Sequence, residues 1–401
     1  MNGGLRNPSG PSTPGNPSDF PNSSGTGSSE GVSPTPIPTP IVGRFAPSPT
    51  GRMHLGNAFA ALGAWLAARA EGKRTGAGSR MLLRIEDIDT PRAVAGADRW
   101  IMEDLSWLGL DWEGEPVYQS QHTDIYEAIL RELSAQRLGA AEGTSAAPEP
   151  LVYPCYCTRA QLRAASAPQE SDGFVLYPGT CRHGGVRASA DRALAMRLAM
   201  PENPHDPRAD VRFMDRIFGQ QSWNLATQVG DIVLQRSDGL FAYQFAVVVD
   251  DYLQGVNQIV RGRDLLRSTA AQIWVRTWVT KVIHVSQVLP FAQVEQVAQA
   301  AHAPHVSQAA QALDLEYAHL PLLLSERQRR LAKRDHSLEV ATLREQGVAP
   351  QKIVGYLAYL LGIIARPEPC TPADLVPEFS WEKIRAAGLA DRQTDTSILA
   401  R

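Results

Sequence analysis

The chain has 401 residues, 43% of them hydrophobic and 20% charged, which is enough apolar content for a substantial core in one or two domains. A formal net charge of −3 excludes the strongly basic class that signals a nucleic-acid partner by bulk charge, and leaves room only for a local basic face. Four cysteines in this length do not form a disulfide framework. No secretory pattern opens the chain, and the apolar run at 356–365 is too short to span a bilayer, so a cytoplasmic protein is expected.

Residues 1–40 are Pro, Ser, Gly, Asn and Thr with hardly any aliphatic side chains, a composition that cannot bury enough surface to offset its ordering entropy. They read as a disordered leader. Residues 41–45 then alternate like a short strand, and Pro47 and Pro49 forbid its continuation. Thr50-Gly51 supplies a turn, and from Leu55 the sequence becomes Ala-rich and helical through Ala70. His54, Gly56 and Asn57 thus sit at the mouth of a helix, whose free N–H groups and partial positive charge suit a phosphate. The whole string from Arg44 to Asn57 resembles the ATP-binding signature of class I aminoacyl-tRNA synthetases, in the form used by glutamyl enzymes.

Residues 81–85 read as a buried strand followed at once by Glu86-Asp87-Ile88-Asp89-Thr90-Pro91-Arg92. In parallel α/β sheets ligand groups gather past the carboxyl ends of strands, although a capped turn alone would also use Thr90-Pro91. The Arg-Ile-Glu-Asp-x-Asp string again resembles glutamyl-tRNA synthetases, which implies that Glu86 helps hold a substrate amino group. Residues 95–108 have helical spacing, with Trp100, Met102, Leu105 and Leu108 on the apolar side and Gly109 as the residue after the C-cap. A second helix is expected from Asp124 to about Leu138, and a surface loop over 139–150.

Three of the four cysteines, Cys155, Cys157 and Cys181, fall in one segment. Cys-x-Cys spacing can place two thiolates on one ion and a third can close the loop, which leaves the fourth donor open between Tyr177 and His183. The segment resembles the insertion of glutamyl-Q-tRNA(Asp) synthetases, Cys-x-Cys followed by Tyr-x-x-x-Cys-Arg. That match implies one structural Zn²⁺ on Cys155, Cys157, Tyr177 and Cys181.

Further on, Ser237-Asp238-Gly239 separates two β-rich runs, 231–236 and 240–249, and is a hairpin signal. Residues 259–262 make one more strand, with Arg261 at its end. These strings resemble the second substrate wall of the glutamyl family, so Tyr243 and Arg261 are implied to contact the amino acid. A planar guanidinium suits a carboxylate through two parallel hydrogen bonds. Residues 281–316 look like an insertion. Arg327, Arg329, Arg330, Lys333 and Arg334 crowd into one stretch, and 330–334 resembles the second class I signature, with Lys333 where a lysine meets the ATP phosphates. Arg330 stands where Lys is usual, and Ala332 replaces a Ser hydroxyl.

The resemblance implies an α/β, Rossmann-like class I aminoacyl-tRNA synthetase catalytic domain over 41–339. A zinc-containing insertion would lie at about 139–200, and residues 340–401 would form a short helical C-terminal region without an anticodon-binding domain. It implies ATP-dependent activation of L-glutamate with Mg²⁺, His54 and Lys333 serving the phosphates and Arg44, Phe45, Ala46, Pro47, Ser48, Glu86, Tyr243 and Arg261 forming the glutamate pocket. It further implies a monomer that transfers glutamate to the queuosine base at the wobble position of tRNA(Asp). The rival readings are a shortened glutamyl-tRNA synthetase charging the tRNA 3′ end, and a non-enzymatic RNA-binding relative.

Overall fold

The computed structural model describes residues 39–139, 148–158, 160–162, 176–183, 193–286, 315–325, 338–395 and 397–400. The leader, most of the 281–316 insertion and the basic stretch carrying Lys333 lie outside the described residues. The strands begin with β1 (Ile41–Phe45), β2 (Ser79–Ile85), β3 (Val117–Tyr118), β4 (Arg137–Leu138), β5 (Glu149–Pro150), β6 (Val152–Cys155) and β7 (Ala195–Leu198). They continue with β8 (Asp210–Asp215), β9 (Gly219–Asn224), β10 (Ile232–Gln235), β11 (Gln258–Gly262), β12 (Glu316–Leu320), β13 (Leu323–Leu324) and β14 (Arg392–Gln393). The main sheet has the order β3-β2-β1-β11-β12-β8-β9. Every neighbouring pair in it is parallel except β8 and β9. Chain order runs outward from β1 through β2 to β3 on one side of the β1/β11 boundary and from β11 to β12 on the other, which makes that boundary the switch point where such sheets open a crevice at their carboxyl ends.

Helix α1 (Leu55–Thr75) returns the chain from β1 to β2. Its buried positions run all round, including Leu55, Phe59, Leu62, Trp65 and Leu66, because β1 and β11 cover one side and α7 (below) the other. Such a helix has no amphipathic stripe to read, only a high Ala and Leu content. It lies close on the sheet at Gly63, where a Cβ would stand 2.6 Å from Leu320 Cδ1. It ends at Gly76 in the left-handed conformation, φ 67°, closing the C-cap. Helices α2 (Ala97–Trp107) and α3 (Thr123–Ala135) follow, then α4 (Tyr243–Leu253), α5 (Leu266–Ser286), α6 (Val340–Glu345) and α7 (Pro350–Leu361). One core joins α1, α7 and the sheet; a second joins α3, α4, α5 and the antiparallel sheet β10-β7-β6.

Several sequence expectations need correction. Residues 240–249 were read as a strand, but Tyr243–Leu253 is helix α4. Its valines favour a strand by propensity, but burial of nearly the whole segment against α3 and α5 overrides that weak preference. The turn at 237–239 does close a short hairpin, with Arg236 N donating to Leu240 O. The second expected helix stops at Ala135 because Arg137–Leu138 pairs with Glu149–Pro150. On α2 the buried apolar residues are Ala97, Ile101 and Leu105, with Leu108 at the C-cap, while Trp100 and Met102 are half-buried. In the C-terminal region β14 pairs with β13, and Asp391 accepts from Leu322 N at 2.9 Å and from both Nε and Nη2 of Arg263.

Candidate active site

A cleft of about 580 Å³ opens past the carboxyl ends of β1, β2, β11 and β12, at the switch point. Its wall includes Arg44, Phe45, Ala46, Pro47 and Ser48 from the end of β1 and its loop, and His54, Gly56 and Asn57 from the start of α1. Glu86, Tyr243 and Arg261 complete it, so every described residue expected from sequence to serve glutamate or ATP lies around one space. The loop is shaped by its prolines: Glu86 N donates to Pro47 O at 2.9 Å and Val94 N to Pro49 O at 2.8 Å. His54 is the N-cap of α1. Its Nδ1 accepts from Asn57 N while Asn57 Oδ1 accepts from His54 N, a reciprocal capping box. Because Nδ1 accepts, the neutral ring carries its proton on Nε2.

Beneath the cleft floor lies a buried ion cluster. Arg84, fully buried on β2, donates from Nη1 to Asp251 Oδ1 at 2.6 Å and to Gln254 Oε1 at 2.8 Å, and from Nη2 to Glu86 Oε1 at 3.3 Å. Arg44 Nε donates to the same Asp251 oxygen at 3.3 Å. Asp250, the other acid at the end of α4, takes Gln119, His122 and Tyr126, each at 2.7 Å. Desolvation pushes the Glu86 carboxyl up to about 7 against the opposing pull of Arg84 and Arg44, with Asp251 adding to the rise. Asp251, flanked by two guanidiniums, is instead held below the usual carboxylate range despite its burial.

The acids after β2 divide their work. Glu86 faces the cleft, whereas Asp87 binds the backbone and hydroxyl of Ser120, and Asp89 pairs with Arg92 and Arg236. Sequence reasoning missed Arg84 as the hub of the cluster, though an Arg inside an apolar strand next to acids was a usable signal. It also gave no role to Asp215 and His319. Arg261 Nε donates to His319 Nε2 at 3.1 Å, and Nη2 donates to Thr269 Oγ1 at 2.8 Å. Its Nη1 is buried, has no protein partner among the described residues, and belongs to a side chain lining the cleft.

The cysteine segment gathers at the end of β6. Cys155, Cys157 and Cys181 place their sulfurs within 4.8 Å of one another. Cys157 and Cys181 Sγ are 3.6 Å apart, and Tyr177 Oη is 3.6 Å from Cys155 Sγ and 3.9 Å from Cys157 Sγ. Four donors around one zinc, at about 2.3 Å for sulfur and about 2.0–2.2 Å for oxygen, stand about 3.5–3.8 Å apart, so this set fits one ion. Backbone N–H groups of Tyr156 and Cys181 point at Cys181 Sγ and Tyr177 Oη, at 3.4 and 2.8 Å. The Arg197 guanidinium stacks on the Tyr177 ring, 3.8 Å from its centre, and brings positive charge to a donor set that would bind as anions. His183, the alternative fourth donor, turns instead to Glu202 at 2.8 Å.

Residues 40–293 match the family described as tRNA synthetases class I (E and Q), catalytic domain. The chain belongs to that family. It is a ligase of the aminoacyl-tRNA synthetase type. A protein of Nitratidesulfovibrio vulgaris named glutamyl-Q tRNA(Asp) synthetase is 41% identical over 84% of this chain and 91% of its own length. One of the same name from Symbiobacterium thermophilum is 37% identical over 86% of this chain and 94% of its length. Among solved class I structures, a glutamate tRNA ligase from Elizabethkingia meningosepticum superposes with a TM-score of 0.61 at 24% identity, covering 90% of this chain and 68% of that one. The synthetase fold is thereby shown. No helix among the described residues is long and apolar enough to cross a membrane.

Proposed function

We propose that this synthetase activates L-glutamate with ATP as glutamyl adenylate and transfers the glutamyl group to the queuosine base at the wobble position of tRNA(Asp). The observation that carries the first half is the cleft, which sets the open end of α1 opposite an acid, Glu86, and a guanidinium, Arg261, whose Nη1 has no partner among the described residues. Glu86 accepts the substrate ammonium. Arg261 and Arg44 take its carboxylates, with Tyr243 and Ser48 beside them and Phe45, Ala46 and Pro47 as the wall. A carboxylate oxygen then attacks the α-phosphorus in line and pyrophosphate leaves, a step that needs positioning and charge stabilisation rather than covalent help. His54 Nε2–H, the backbone N–H of Gly56, the side-chain NH2 of Asn57, and Lys333 stabilise the phosphates. Mg²⁺ bound with ATP supplies further neutralisation of the phosphate charge. A hydroxyl of the queuosine diol finally attacks the glutamyl carbonyl and AMP departs.

The acceptor is supported by the relatives' names together with the large share of their length that this chain matches. A wobble base can be splayed out of its loop and read by stacking and edge contacts, the usual mode for single-stranded RNA. Cys155, Cys157, Tyr177 and Cys181 hold one structural zinc ion in this reading.

The decisive assay uses ATP, labelled glutamate and tRNA(Asp) carrying queuosine but trimmed of its 3′ end. Trimmed tRNA(Asp) is expected to accept glutamate. Acceptance only by intact tRNA(Glu) overturns the acceptor assignment. Absence of any glutamate-dependent pyrophosphate exchange overturns the activation step as well.

A further inference from the structure

We propose that the Asp215–His319 pair is a positioning device that aims Arg261 at the amino-acid substrate; this rests on Arg261 receiving a substrate carboxylate. The three residues come from the carboxyl ends of adjacent parallel strands: Asp215 from β8, His319 from β12 and Arg261 from β11. His319 and Arg261 stand opposite each other in the β11/β12 register, so their side chains share a face of the sheet. Asp215 Oδ2 lies 2.6 Å from His319 Nδ1, and His319 Nε2 lies 3.1 Å from Arg261 Nε.

The chemistry allows one arrangement of protons. A guanidinium Nε–H can only donate, so His319 Nε2 accepts, and the ring proton sits on Nδ1 and is donated to Asp215. Burial, the largest influence, and the neighbouring Arg261 charge keep His319 below its ordinary value despite Asp215, which agrees with a neutral ring. Asp215 is itself fixed, its other oxygen accepting from the backbone N–H groups of Ile217 at 3.0 Å and Phe218 at 2.8 Å. Thr269 Oγ1 and the Leu265 carbonyl hold Arg261 Nη2 from α5 and the turn before it. The guanidinium is therefore gripped on Nε and Nη2, and Nη1 is the edge left for a ligand.

A neutral imidazole suits this task better than a carboxylate. An acid at position 319 would orient Arg261 but cancel its charge. The imidazole orients it and leaves the full positive charge for the substrate, with the compensating Asp215 one ring farther away. No catalytic contact is implied for His319, which is fully buried.

The test is a double-mutant cycle read by glutamate-dependent pyrophosphate exchange, with thermal stability measured for every variant. His319→Leu is expected to raise the glutamate KM about ten-fold or more while the ATP KM stays within about two-fold. His319→Gln, which restores an acceptor, should recover most of that loss. Thr269→Val keeps its shape, leaves the Leu265 carbonyl on Nη2 and removes a hydroxyl that lies 2.8 Å from Arg261 Nη2 and 3.1 Å from His319 Nε2, so it should raise the glutamate KM by a few-fold even if His319→Leu does not fold. In an Arg261→Ala background neither substitution should add more than about two-fold, because residues acting through one group are not additive. Equal effects on both KM values, or effects that add to Arg261→Ala, overturn the positioning role while leaving Arg261 at the substrate. An Arg261→Ala protein with an unchanged glutamate KM overturns the substrate reading itself, and the positioning role with it.

Discussion

Glu86 offers the sharpest pH test of the proposed site. Its carboxyl is buried beside Arg84, Arg44 and Asp251, and is pushed from an ordinary 4.5 up to about 7. Only the carboxylate can hold a substrate ammonium, so the competent fraction of free enzyme rises with pH through that value. At about pH 6 roughly a tenth of the sites are ionised, at about pH 7 half, and at about pH 8 nine-tenths. With MgATP saturating, the glutamate KM should therefore fall about five-fold from pH 6 to 7 and about two-fold more by pH 8. Glu86→Gln keeps the side-chain shape but removes the charge. A hydrogen bond to a charged group contributes about 1.5–3 kcal/mol, so this variant should raise the glutamate KM about ten- to hundred-fold. Its KM should also lose the pH slope, which makes it the control for every other group titrating in the range. A flat profile in the parent, or an undiminished slope in Glu86→Gln, refutes the assignment of the ammonium to Glu86.

Metal analysis of protein purified without chelator should find one zinc per chain, and Cys155→Ser or Cys181→Ser should lose it along with thermal stability, since structural zinc contributes folding free energy directly; protein without zinc would refute this. Lys333→Ala should slow pyrophosphate exchange by about 10²-fold or more, the scale of one lost transition-state donor, and an unchanged rate would move the phosphate role to Arg330 or Arg334.

The site was legible in sequence where chemistry and local backbone coincide. His54 could be placed at a helix mouth because Pro47, Pro49 and Gly51 leave the chain little else to do, and the cap is formed as that spacing requires. Glu86 and Arg261 could be placed because both fall at the carboxyl ends of recognisable apolar strands. Helix α4 was not legible, because three consecutive valines satisfy a strand and a fully buried helix equally and only its neighbours decide. Nor was the alignment of Asp215, His319 and Arg261, which depends on strand order: β8 and β12 are neighbours in space but separated in sequence by β9, β10 and β11. Periodicity carries no information about that order.

The tie between Asp391 and the cleft has a consequence for the order in which the molecule is made. Asp391 lies 128 positions after Arg263 and also holds the backbone N–H of Leu322, a residue of the cleft wall. At translation rates of about 5–20 residues per second, Arg263 leaves the ribosome roughly 6–25 s before its partner carboxylate exists. During that interval β1, β2 and β11 are present, but the wall formed by 320–323 has neither the Asp391 carboxylate nor the pairing of β14 with β13 to brace it. That wall of the cleft is thus braced by residues synthesised well after it, and a chain stalled just short of Asp391 would carry a nearly complete sheet and an unbraced wall.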